Sequence, residues 1–265
     1  MIRLRQGNTL LPLFVLGFVL VLWEALVRAD SSSLRSVPAP TEVLGALINS
    51  RSTLWTEHLP QTLLETVIGL VIAVIIGLAF AALLDFLPLL KQAVYPLLVV
   101  SQTVPIFAIA VVLILVLGFD TAPKVAVVIL FCFFPIMVST LDGLNGTDPD
   151  LVALLRAMGA SRGQIWRKVR LPSALPAFFS GLRIAATYSI GGAIVGEYVT
   201  SSKGLGYVMR LQFSQGHVAD AFVPVVIIVL LSIGLVELVN LAERVVMPWY
   251  FTEARETQWA EPGIY

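Results

Sequence analysis

Charge is what this chain lacks most. Of 265 residues only 13% are Asp, Glu, Lys or Arg, and 17 basic residues balance 17 acidic ones to a formal net charge of zero. Soluble globular domains carry roughly 25% charged residues. With 58% hydrophobic residues and a mean hydropathy of +0.91, the chain is excluded from that class. No nucleic-acid partner is expected. Cysteine is nearly absent: Cys132, in the run Phe131-Cys132-Phe133-Phe134-Pro135, is the only one. That excludes an intramolecular disulfide and a thiolate metal site, and a buried structural thiol is expected. Histidine is nearly absent too. His58 and His217 are isolated in sequence and read as interfacial or loop residues near the outer face, not ligands. No G-x-x-x-x-G-K-[ST] occurs, because residues 159–163 are not followed by Lys-Ser or Lys-Thr. A phosphate-cradling loop needs those glycines and that lysine, so ATP hydrolysis by this chain is not expected, and neither is a bound cofactor or metal. A cleavable signal peptide is missing as well: the first apolar run is too long for one and lacks a small-residue cleavage site.

What is present is long uncharged windows, at residues 6–23, 66–84, 93–117, 125–141 and 221–236. A helix crossing a bilayer needs about 20 mainly apolar residues. A sixth apolar segment, 176–200, carries Arg183 and Glu197. Backbone groups in lipid must be satisfied within their own segment. The expected fold is therefore all-α, with about six transmembrane helices near 9–28, 60–85, 93–117, 123–141, 176–200 and 221–247. Arg156, Arg162, Arg167, Lys168 and Arg170 fall between spans four and five. Positive loops stay cytoplasmic, which places this loop and both termini inside, in agreement with Arg3 and Arg5; Lys203 and Arg210, in a predicted outer loop, point the other way. The chain divides into residues 1–59 (first span and outer segment), 60–250 (transmembrane domain) and 251–265 (cytoplasmic tail).

Several features ask for a role. In the outer segment, Val43, Leu44, Leu47 and Ile48 share one helical face, as in a helix lying on a membrane. Pro60 suits the first turn of span two. Span three is interrupted by Tyr95-Pro96 and by Ser101-Gln102-Thr103-Val104-Pro105. Polar residues and prolines at membrane depth are tolerated where the backbone lines a cavity or packs on protein. Either a translocation pathway or an ordinary kinked helix accounts for Ser101, Gln102, Thr103 and Pro105. In span five, Gly181, Gly191, Gly192 and Gly196 alternate with Ala185, Ala186, Ser189 and Ala193; close helix packing and a role in opening explain them equally well. Glu197 lies 14 positions after Arg183, about 21 Å of helix, against a hydrocarbon core of ~30 Å. Arg183 is expected to snorkel to one boundary. Glu197 is expected either to pair locally at the other, or, with Tyr188 and Ser189, to belong to the substrate pathway. Glu65 and Glu237 are read as structural.

The polar stretch 148–172 is the most informative. Asp148 is a good N-cap with Pro149 at the first helical position, and Asp150 complements the helix dipole. Gly159 is a natural stop, so a helix is expected over 149–158. Ser161 with Gln164 forms a capping box that starts a second helix, expected to end at Leu171-Pro172. Leu151, Leu154, Leu155 and Met158 make an apolar stripe at helical spacing. Outside the membrane, such a stripe buries against the bundle, the headgroups or a cytoplasmic partner.

These residues resemble the signature loop of ABC-importer permeases: Gly159, nine residues, Val169, one residue, then Leu171-Pro172. Ala160-Ser161, Gly181-Leu182-Arg183, Phe134-Pro135 and Leu141-Asp142-Gly143-Leu144 are similar to the same family, over residues 60–250. The resemblance implies a binding-protein-dependent type I permease in the inner membrane of a prokaryotic cell. It would be paired with a second, identical copy, served by an extracytoplasmic solute-binding protein, and driven by cytoplasmic ATPase subunits that use ATP and Mg. It also implies that Asp150, Leu151, Ala153, Leu154, Leu155, Arg156, Met158, Gly159, Ala160, Ser161, Leu171 and Pro172 form the coupling surface. One departure stands out: Ala153-Leu154-Leu155 replace the family's Glu-Ala-Ala. The joint is thus expected to rely on apolar burial, with Asp150 or Arg156 supplying any polar contact. Gly196-Glu197 and Lys203-Gly204-Leu205-Gly206-Tyr207 resemble permeases for sulfonates, taurine and nitrate, and more closely those for a thiamine-precursor pyrimidine and riboflavin. Two other classes compete. A membrane-embedded enzyme would need a His, Asp or Glu cluster at one depth, and a passive channel would not need the capped hairpin.

Overall fold

The computed structural model describes residues 10–29 and 37–250 of the chain. Arg3, Arg5, the polar run 30–36 and the tail 251–265 lie outside the described residues. The described residues form α1 (Leu10–Ala29), α2 (Pro40–Ile48), α3 (Leu59–Phe86), α4 (Pro88–Ser101), α5 (Ile106–Leu117), α6 (Thr121–Asn145), α7 (Pro149–Ala157), α8 (Arg162–Ile165), α9 (Leu171–Thr200), α10 (Leu205–Ser214) and α11 (Val218–Val246). Among them, five helical stretches are long and apolar enough to cross a membrane, or six if the bent pair α4–α5 is one span.

Two expected boundaries are overrun, for one reason. Leu59-Pro60 and Leu171-Pro172 were both expected to begin or end a helix. Each is instead preceded by a π-helical turn, Leu54–His58 and Trp166–Arg170; the first lengthens α3 at its start, and the second joins α9 to α8. The N–H groups of Leu59 and Leu171 reach back five residues to the Leu54 and Trp166 carbonyls. Proline lacks the N–H that the ordinary ladder needs, and the wider turn absorbs that missing donor. The stretch 162–199 is therefore one continuous helix of 38 residues rather than a hairpin arm followed by a separate span. The expected stop at Leu171-Pro172 is corrected accordingly.

The core is built by α3, α6 and α9. On α3 the buried positions run Thr62, Glu65, Thr66, Gly69, Leu70, Ala73, Gly77, Ala81 and Leu84, one face at helical spacing with a small residue every fourth position from 69 to 81. Small residues allow backbones to approach closely. A Cβ on Gly69 would sit 2.5 Å from Val128 Cβ, and one on Gly77 2.9 Å from Ile136 Cγ2. On α9, a Cβ on Gly181 would sit 2.5 Å from the Pro135 carbonyl oxygen, on Gly192 3.1 Å from the Val128 Cα, and on Gly196 3.0 Å from the Lys124 Cα. Close packing thus accounts for these three glycines, whereas Gly191 faces open space. Cys132 is fully buried in this seam with its thiol toward the Ala185 carbonyl at 3.3 Å.

The outer elements are pinned to the core by polar contacts. Arg183, expected to snorkel, instead forms an ion pair with Glu243 and so ties α9 to α11. Val43 and Leu47 of α2 pack on the bundle, while Leu44 and Ile48 remain exposed. Helix α1 stands at the periphery. It is held by Glu24, which accepts from the Thr41 N–H at 3.1 Å and hydroxyl at 2.8 Å, and by Trp23 against Phe222 at 6.4 Å.

Candidate functional site: the coupling hairpin, the broken span and the buried clasp

Helix α7 is built as the residues require. The Asp148 carboxylate accepts from the Asp150 N–H at 2.8 Å, and Gly159 takes the left-handed conformation (φ +83°) that stops the helix. The N–H groups of Gly159 and Ala160 close the end on the Arg156 and Leu155 carbonyls, each at 3.0 Å. The capping box that follows is complete: Ser161 Oγ accepts from the Gln164 N–H at 3.3 Å, and the Gln164 side chain accepts from the Ser161 N–H at 2.8 Å. Leu151, Leu154 and Met158 are exposed along one side of α7, Met158 at 74% of its surface, whereas Leu155 is half-buried. The ridge finds no cover among the described residues. Ala153 and Arg156 lie on the opposite side, over a cavity.

The hairpin rests on an ion pair that sequence reasoning did not anticipate. Arg170 donates two bonds of 2.8 Å to the Asp85 carboxylate and a third of 2.8 Å to the Leu144 carbonyl. One guanidinium thus joins the end of α3, the end of α6 and the root of α9. Asp85 and Arg170 are 85 positions apart, so no local spacing announces the pair.

Span three is neither straight nor merely kinked. Helices α4 and α5 meet at 99° across residues 102–105. Pro96 does not break α4, but Pro105 ends regular helix and starts α5 from an extended conformation; a residue before proline is driven out of the helical region. Ser101 Oγ and Thr103 Oγ1 donate to the Leu98 and Val100 carbonyls at 2.7 and 2.8 Å. The Gln102 side-chain amide is exposed and has no partner among the described residues. Tyr188 is half exposed on α9 and its ring lies 6.5 Å from that of Phe131.

Ser189 and Glu197, grouped in sequence with the pathway, sit elsewhere. Both are fully buried, and Ser189 bonds the Ala186 carbonyl. Glu197 is a clasp. Its carboxylate accepts from the Thr62 hydroxyl at 2.6 Å and from the Gly206 N–H at 2.7 Å. Thr62 Oγ1 accepts from the Leu205 N–H at 2.9 Å, and His58 Nδ1 from the Gly204 N–H at 3.2 Å. The first turn of α10 is therefore capped by side chains of α3, α9 and the turn before α3, not by its own. Gly204 (φ +104°) admits no side chain, since a Cβ there would sit 2.2 Å from the Glu197 carboxylate. His58 is thus no isolated loop residue. Beside the clasp, Glu65 accepts from Gln61 at 2.7 Å and pairs with buried Lys124 at 3.4 Å. Lys203 and Arg210 have local uses: Lys203 lies 3.8 Å from Glu57, and Arg210 donates to the Val199 and Ser201 carbonyls at 3.2 and 2.9 Å, where a cation suits a helix C-terminus. The missed signal for the core was the small-residue repeat Gly69, Ala73, Gly77, Ala81.

The described residues thus form an α-helical membrane bundle carrying a capped hairpin with an exposed apolar ridge. Residues 73–251 match the binding-protein-dependent transport system inner membrane component family, and the chain belongs to it. It is an ABC-importer permease subunit, a multi-pass protein of the inner membrane; membership in that family implies ATPase and binding-protein partners. Among relatives, it is 35% identical over 245 residues to the formylaminopyrimidine transport permease protein ThiX of Halalkalibacterium halodurans, covering 92% of this chain and 98% of that one. It is 38% identical over 224 residues to a probable ABC transporter permease protein of Haemophilus influenzae (84% and 91%), and 32% identical over 236 residues to the riboflavin transport system permease protein RibX of Chloroflexus aurantiacus (88% of each). The fold is shared with a chain of the inward-facing MetNI methionine ABC transporter, at TM-score 0.58 and 21% identity, covering 78% of this chain and 96% of that one.

Proposed function

We propose that this chain passes an aromatic heterocycle, a thiamine-precursor pyrimidine of the formylaminopyrimidine kind or riboflavin, into the cell by alternating access. The observation that carries the drive is the exposed ridge Leu151, Leu154 and Met158 on a hairpin continuous with α9. A contiguous apolar ridge outside the membrane gains free energy when covered, and a cytoplasmic ATPase groove is the cover we assign to it. ATP and Mg are bound there, and this chain carries neither. Without the family's glutamate at Ala153, that joint is apolar. Closing of the two ATPase subunits moves α7, and the unbroken helix 162–199 carries the motion to the far end of the bundle, shifting a two-state equilibrium of the cavity. Residues 60–250 are the transport unit, residues 1–59 a peripheral addition, and both termini are cytoplasmic.

A second, identical chain completes the pathway. An irregular backbone at membrane depth with an unpaired amide at Gln102 is not stable against lipid. It must face protein or water, which supports placing Ser101, Gln102, Thr103, Pro105 and Tyr188 around a cavity between two copies. The substrate assignment rests on near full-length similarity to ThiX and RibX, compared with 28% and 26% identity to relatives named for aliphatic sulfonates and taurine. The experiment is uptake into proteoliposomes holding the permease, its ATPase and its binding protein. Labelled formylaminopyrimidine or riboflavin should accumulate with ATP; accumulation of taurine, sulfonates or nitrate instead would overturn the substrate reading. Leu154→Asp with Met158→Asp should abolish capture of the ATPase. Retained capture would overturn the coupling reading.

A further inference from the structure

A cavity of about 610 Å³ lies behind the coupling hairpin, between α7, the end of α3 and the root of α9. Its charges do not cancel. Asp85 and Arg170 neutralise one another through their two 2.8 Å bonds. Arg156 and Arg162 also line the cavity, and their guanidinium groups have no ion-pair or hydrogen-bond partner among the described residues. The site therefore offers two unengaged guanidinium groups, suited to a phosphate or carboxylate.

The surroundings choose between those anions. Phe86 and Trp166 line the same cavity with their rings 5.4 Å apart. Both lie where a membrane helix ends, the usual level for interfacial aromatics. Phe86, which lines the cavity, and Leu89, three positions on in the first turn of α4, are 59% and 83% exposed, so apolar side chains stand free at and just beyond the cavity's α3 edge. A basic cavity edged by exposed apolar side chains fits a molecule with a charged head and an apolar body. The ridge Leu151, Leu154 and Met158 points to the other side of α7. A subunit seated on that ridge does not thereby fill the cavity.

We propose that this cavity binds the phosphate headgroup of one anionic phospholipid, its acyl chains lying along Phe86 and Leu89. Basic pockets between helices on the cytoplasmic side take such headgroups, with each basic residue near the surface contributing about a fivefold factor in affinity. The lipid would brace the back of the hairpin while the ATPase holds its front.

The test uses the assembled transporter in nanodiscs of phosphatidylcholine doped with phosphatidylglycerol, followed by native mass spectrometry of the released complex. One phosphatidylglycerol per permease chain should be retained, and free glycerol phosphate should not displace it. Arg156→Gln and Arg162→Gln should each weaken retention about fivefold, with Arg162→Lys restoring most of it. Equal retention of phosphatidylcholine, or retention unchanged in both Gln variants, would overturn the proposal. So would loss of the ATPase subunit from Arg162→Gln in lipid-free detergent, since the arginine would then be meeting a partner's carboxylate.

Discussion

The seam between α6 and α9 and the broken pair α4–α5 are made of similar apolar residues and behave as opposites. In the seam, Gly181, Gly192 and Gly196 let backbone touch backbone, and Ala185 and Ala193 are fully buried. At the two ends of the bundle, Arg170–Asp85 and Glu197–Thr62 tie the α9 stretch to α3 as well. In α4 no residue is fully buried; in α5 only Ala110 and Ile114 are. The described polar tie of α4 to the rest is Lys91 to Asn145 at 2.9 Å. Hydrophobicity therefore does not decide which membrane helices form a rigid body. Side-chain size does, because in lipid there is no solvent-driven gain from apolar contact and close packing must supply the attraction.

That contrast can be broken first at the seam. Gly181→Leu places a side chain where a Cβ alone already meets the Pro135 carbonyl oxygen at 2.5 Å. A loss of stability of at least ~3 kcal/mol is expected, read as loss of monodisperse protein in detergent. Gly191→Ala, on the same helix but facing open space, should shift stability by no more than ~0.5 kcal/mol. Equal behaviour of the two would refute the packing account.

The clasp should give the next largest effect. Glu197→Ala leaves the Gly206 N–H without its acceptor and the Thr62 hydroxyl with only the His58 carbonyl at 3.2 Å, and a buried group left unsatisfied costs ~1–3 kcal/mol. Glu197→Gln keeps one oxygen as acceptor and should cost clearly less, in thermal unfolding of the purified protein. If Gln and Ala are equally mild, Glu197 is not holding α10.

The smallest structural effect belongs to the broken span. Gln102→Leu should leave stability within ~0.5 kcal/mol while lowering the uptake rate in proteoliposomes several-fold. A variant that transports normally would take Gln102 out of the pathway.

Much of this was readable from local patterns. Caps and turns involve neighbours in sequence, so Asp148 with Asp150, Ser161 with Gln164, and the stop at Gly159 were all legible. The break near 101–105 was legible as an interruption, but not its 99° angle, which depends on how α5 packs on α6. Pro60 does stand in the first turn of α3, but the stop at Leu171-Pro172 was misjudged, because proline statistics ignore a π turn that can absorb the missing donor. Arg183 and Glu197 were recognised as costly in the membrane, yet neither partner, Glu243 or Gly206, could be named.

The sequence by itself determined the apolar segments and the caps of the coupling hairpin. Each rests on composition or on residues within one helical turn of one another. Only the tertiary structure decided that α3, α6 and α9 form one block, that Glu197 clasps α10, and that Arg170 seats the hairpin on Asp85. These contacts join residues 9 to 135 positions apart. Which buried charge meets which partner follows from helix packing, and helix packing here follows from where small residues let two backbones touch.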